Sequence, residues 1–109
     1  MIRSWKGTAA ERRSLAYHRA IAERIGSDAS ILRGARERVR AWRQRHAVHD
    51  HYVTAWEEIL ARPDSEVATL LTDASERMIA CRQVSPFAGV LDARARWKLW
   101  RSAGESPPA

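Results

Sequence analysis

Apolar residues recur along this chain at intervals of three and four, and sustained alternation is absent. Tyr17, Ile21 and Ile25 form one such row, and Ile31 or Leu32, Ala35, Val39 and Trp42 form a second at close to heptad spacing. Tyr52, Trp56, Ile59 and Leu60 make a third, followed by the shorter groups Val67, Leu70, Leu71 and Met78, Ile79, and by Trp97 and Trp100. This is the period of a helix with one buried face. Alternating β-branched runs and hairpin dipeptides such as Asn-Gly are missing. The pattern predicts an all-α protein, a compact bundle of five or six short-to-medium helices.

The polar punctuation between the rows sets the expected boundaries. Thr8-Ala9-Ala10-Glu11 fits a capping box, which opens a helix running to about Arg24. Gly26 suits a left-handed terminal residue after it. Ser27 or Asp28 opens a second helix of about 17 residues. Gly34 inside that helix suggests a close helix–helix approach, and the two long helices are expected to pair antiparallel. A break over His46–Asp50 precedes a third helix, about Tyr52 to Ala61, which Pro63 ends. Asp64-Ser65-Glu66 opens a short helix, and Asp73-Ala74-Ser75-Glu76 reads as a second capping box. Ser85-Pro86-Phe87-Ala88-Gly89 has loop chemistry, and Asp92 caps a last helix. Residues 1–103 are read as one domain with its core in about 8–101, and 104–109 as a disordered tail.

Composition bounds the function. One cysteine, Cys81, permits no intramolecular disulfide, and Ile79 and Val84 beside it suggest a small buried hydrophobe. No stretch approaches the roughly 20 apolar residues of a membrane span, and the N-terminus lacks a signal-peptide pattern, so a cytoplasmic protein with no membrane partner is expected. The net charge is +6, unevenly distributed. Residues 1–47 carry twelve Arg/Lys against four Asp/Glu, 48–92 three against eight, and 93–109 four against one. Two basic ends therefore flank an acidic middle, and the excess favours an acidic partner, protein or nucleic acid.

Catalytic patterns are lacking. There is no Gly-rich phosphate loop and no nucleophile with a recognisable base, so the chain is not read as an enzyme. His46, His49 and His51 with Asp50 match no zinc spacing and are read as surface or structural residues. No metal and no cofactor is expected. His18 beside Tyr17 is read as a half-buried, hydrogen-bonded residue. The candidate binding residues fall in two places. Arg36, Arg40 and Arg43, with Arg33, form a stripe on the second helix opposite its apolar face. Arg82, Gln83, Ser85, Phe87, Arg96, Trp97 and Trp100 mix guanidinium groups with large rings, the residue types enriched at protein-binding hot spots. A helix-turn-helix over Val67 to Gln83 has the right rhythm, but Asp64, Glu66 and Asp73 would repel phosphate.

Ser14-Leu15-Ala16-Tyr17-His18-Arg19-Ala20-Ile21-Ala22, Tyr52 through Leu60 with Ala55-Trp56-Glu57, Ser85-Pro86-Phe87-Ala88-Gly89-Val90-Leu91 and Arg96-Trp97 together resemble a family of small all-helical bacterial proteins. These are antitoxin-like members of toxin–antitoxin modules, with a minimal nucleotidyltransferase-like toxin as neighbour. The resemblance covers about residues 9–101 and is strongest at Ser-Pro-Phe-Ala-Gly. It implies an antitoxin that neutralises its cognate toxin by direct protein–protein binding, and it implies no catalytic residue. The alternative is a small basic DNA- or RNA-binding transcriptional regulator. A homo-oligomer through the C-terminal tryptophans also stays open.

Overall fold

A computed structural model describes residues 8–102; the expected C-terminal tail lies outside the described residues. Six α-helices follow one another: α1 Ala9–Ile25, α2 Ala29–Arg45, α3 Asp50–Leu60, α4 Asp64–Leu71, α5 Glu76–Gln83 and α6 Ala93–Ser102. Among the described residues there is no strand. No described helix is long and apolar enough to cross a membrane.

The helix starts follow local chemistry. The Thr8 hydroxyl accepts from Glu11 N and the Glu11 carboxylate accepts from Thr8 N, the reciprocal pair of a capping box. Asp28 caps α2 through Ser30 N, and Asp92 accepts from Ala95 N at the start of α6. At α5 the cap is Ser75, whose hydroxyl accepts from Met78 N, and not Asp73. Asp73 instead accepts from Ser75 N and turns the chain into that cap. The left-handed residue is also displaced from its expected place. Gly26 is right-handed (φ −69°), and His46 after α2 is left-handed (φ 52°).

The expected pairing of α1 with α2 is not the main contact. The principal neighbour of α1 is α4, and that of α2 is α3. Ile21 and Ile25 of α1, with Leu32, Ala35 and Val39 of α2, meet Trp56, Ile59, Val67 and Leu71 of the shorter helices in one core. Gly34 is exposed and has no neighbour where a Cβ would stand, so it marks no close approach.

The centre of this core is a loop residue. Phe87 is fully buried, with its ring edge-on to Trp56 at 5.8 Å and to His18 at 6.1 Å. Three helices hold its loop. Tyr17 of α1 donates to Phe87 O (2.7 Å), Arg38 of α2 donates to Ala88 O (2.6 Å), and Trp56 of α3 donates to Val84 O (2.7 Å). Buried loop backbone is tolerated only when its polar groups find partners, and these three side chains supply them. Gly89 carries the tight exit from the loop at φ +86°, where an L side chain would be strained.

Candidate functional site

The two groups of candidate residues occupy different surfaces. Arg36, Arg40 and Arg43 line a groove of about 420 Å³ between α2 and α3, floored by Val39 and Leu60. Two of the three are engaged within the fold. Arg36 Nε donates to Leu60 O (3.0 Å), and its Nη2 lies 3.7 Å from Asp64. Arg43 forms a fork on Glu57, with Nε to Oε2 at 3.1 Å and Nη2 to Oε1 at 2.8 Å, and it also donates to Thr54. The fork holds the Glu57 carboxyl below the usual carboxylate range and pushes the Arg43 guanidinium up. Arg38, on the flank of the stripe, is bound to the Phe87 loop. Arg40 alone of the three candidates stays exposed with no ion-pair partner among the described residues.

The second group converges on a cleft of about 390 Å³ between α1, α5, α6 and the Phe87 loop. Arg82, Gln83, Ser85, Arg96 and Trp100 all line it. Arg13, Tyr17 and His18 of α1 join them, residues that the spacing along α1 places on its inner side but that carry no motif. Arg13 lies over the Trp100 ring at 5.6 Å. Two candidates turn out to be interior. Phe87 is the loop's core anchor, so its ring is not available to a partner. Arg82 is only 5% exposed, and its Nη1 donates to Asp73 O (2.7 Å) and Leu71 O (3.2 Å). It thereby satisfies carbonyls at the end of α4 and in the turn after it.

His18 ties the cleft wall together. Its Nδ1 meets Ser14 O at 2.8 Å and its Nε2 meets Ser85 Oγ at 2.8 Å. The Ser14 carbonyl can only accept, so Nδ1 carries a proton and donates to it. Burial keeps the ring neutral, so Nε2 accepts from the Ser85 hydroxyl, which accepts in turn from Phe87 N. Burial lowers its pKa to about 4; the bond to Ser14 opposes that shift, and the Arg82 charge adds to it. The serine hydroxyl thus both donates to the helix and accepts from the loop, joining residues 67 apart in the chain.

The outer face of α6 is different again. Arg94, Trp97, Lys98 and Arg101 are exposed at spacing i, i+3, i+4 and i+7, one continuous stripe. Trp97 is 41% exposed, the one large hydrophobic so exposed among the described residues, and it sits 6.3 Å from the Trp100 ring. No acidic residue lies in α6, and none of the stripe's cations has an ion-pair partner among the described residues. Among the described residues, no group of three or more His, Cys, Asp or Glu is placed to hold a metal ion. The would-be recognition helix α5 has its cations engaged, with Arg77 paired to Glu58 and Arg82 buried. No family model, curated protein or solved structure matches the chain.

Proposed function

We propose that this protein works by binding an acidic protein partner through the outer face of α6, and that the partner is the toxin of a two-gene module which it neutralises as antitoxin. The observation that carries the binding reading is the α6 stripe. Three cations with no ion-pair partner among the described residues surround an exposed tryptophan on one face of a helix. A helix that presents i, i+3, i+4 and i+7 residues to a groove is a common recognition mode, and Trp with Arg gives both apolar area and directed charge. The antitoxin identity rests on the sequence resemblance over about residues 9–101. A nucleotidyltransferase carries the carboxylates that such a stripe complements.

The reading is of binding without catalysis, and neither a metal nor a cofactor is invoked. The test is purification of the tagged protein from its native cells after nuclease treatment and a moderate-salt wash. The expected result is a near-stoichiometric nucleotidyltransferase-like protein that arrests growth when produced alone and is harmless when co-produced. If nothing survives nuclease and salt, the antitoxin reading fails and the nucleic-acid regulator replaces it, because phosphate contacts weaken steeply with salt.

A further inference from the structure

We propose that the cleft between α1, α5 and α6 is a binding site for the phosphate group of a small phosphate ester. Three guanidinium groups, Arg13, Arg82 and Arg96, line it, each from a different helix. No carboxylate lines it among the described residues. The Asp73 carboxylate acts on Arg82 but does not line the cleft, and it accepts from Ser75 N. Cations facing one concavity repel one another, and an anion relieves that repulsion.

Arg82 is the second, independent observation. It is 95% removed from solvent, yet its hydrogen bonds to described residues all leave through Nη1. No buried side-chain nitrogen among the described residues lacks a partner. Nε and Nη2 therefore each keep some exposure to solvent, and Arg82 lines this cleft. A pre-set guanidinium on the floor of a cleft loses little freedom on binding, which is where directed bonds to an anion are strongest.

The ligand class follows from count and shape. Three guanidinium groups suit a tetrahedral dianion with several free oxygens better than a carboxylate with two. The volume, about 390 Å³, is enough for a small molecule. Trp100 and the guanidinium stacked on it offer a flat wall for whatever the phosphate carries. The proposal is independent of the α6 outer stripe, which uses Arg94, Trp97, Lys98 and Arg101.

The experiment is calorimetric titration of the purified full chain, in low-salt buffer free of phosphate and sulfate. The probes are inorganic phosphate, ribose 5-phosphate, adenosine 5′-monophosphate, adenosine and glutamate. All three phosphate-bearing probes should bind one to one, and adenosine and glutamate should not. A tighter constant for the nucleotide than for inorganic phosphate identifies a nucleotide pocket, and equal constants identify a phosphate pocket. Arg96→Ala and Arg13→Ala, both at half-exposed positions, should each weaken binding about tenfold, the usual cost of one charge-assisted contact. Arg40→Ala, in the other groove, should leave it unchanged. The proposal is overturned by no heat from any phosphate probe at millimolar concentration. Equal binding of glutamate, or an Arg40→Ala effect as large as that of Arg96→Ala, overturns it as well.

Discussion

Helices α2 and α6 both carry a row of cations on one face, yet the fold treats them in opposite ways. On α2, Arg36, Arg38 and Arg43 bind a carbonyl of α3, carbonyls of the Phe87 loop and a carboxylate of α3 respectively. On α6, Arg94, Lys98 and Arg101 have no such partners among the described residues. The difference comes from what packs alongside. The acidic middle of the chain folds as α3 and α4, and α2 lies on α3 with Asp64 of α4 beside Arg36. Helix α6 packs on α1 and leaves its basic face outward. A run of arginines in a sequence therefore measures charge, and only the packing decides how much of it is free to meet a partner.

The sharpest way to break this contrast is charge reversal on each helix in turn. Arg94→Glu, Lys98→Glu and Arg101→Glu together should weaken capture of the partner by about 100-fold or more, the scale of losing a charged hot spot. Reversal of the exposed Arg33, Arg40 and Arg45 on α2 should change it by less than about threefold. Equal losses from the two triple variants would mean that the field of the whole molecule, and not the α6 face, does the binding. Dissociation-rate measurements on the captured complex read the difference directly.

Acid should act on the two regions unequally. The α6 stripe contains no acidic group and keeps its charge as pH falls. The wall of the cleft depends on neutral His18, whose pKa is about 4 in the folded chain against 6.5 when unperturbed. Between those values the unfolded chain binds a proton that the folded chain refuses. Stability is therefore full above about pH 6.5 and falls as pH drops toward about 4, by roughly 3 kcal/mol from this residue. Urea unfolding at steps of pH measures it. His18→Gln should be less stable at neutral pH and should lose that slope, and an unchanged slope would place the sensitivity elsewhere.

How much of this was legible in the sequence depends on range. Helix positions were legible because caps act over two or three residues, as Thr8 with Glu11 and Asp28 with Ser30 do. The sequence also carried the neighbourhood of the cleft, since Arg82 to Trp100 is compact along the chain. It did not carry the burial of Phe87, which depends on Tyr17 and Arg38, 70 and about 50 residues away. The same holds for Arg43 and Glu57, two charged residues on separate helices whose pairing only the packing of α2 on α3 creates. A turn that contains Ser, Pro and Gly looks exposed until something reaches over to satisfy its carbonyls.

Buried and free arginines should also separate in stability. Arg82→Ala strips two carbonyls of their donor inside the fold and should cost about 2–3 kcal/mol. Arg94→Ala removes an exposed cation and should stay within about 0.5 kcal/mol. Guanidinium unfolding of both variants checks the pair. If Arg82→Ala proved as mild as Arg94→Ala, water would be replacing its bonds, and the buried floor assigned to the cleft would be open to solvent.

The smallest effect tests the α2 side of the contrast. Arg43 and Glu57 meet as a two-bond fork near the protein surface, where water competes for both partners and salt screens them. Arg43→Gln should lower the urea midpoint slightly in low salt, and the shift should vanish at about 1 M salt, where the screening length falls to roughly 3 Å. Arg40→Gln, with no ion-pair partner to lose among the described residues, should shift nothing at either salt concentration. A shift for Arg43→Gln that survives high salt would trace to its carbon chain covering Val39 and Leu60 in the groove, since packing is not screened. No shift at all would return Arg43 to the exposed cations, and the distinction between α2 and α6 would then rest on Trp97, the exposed ring of α6.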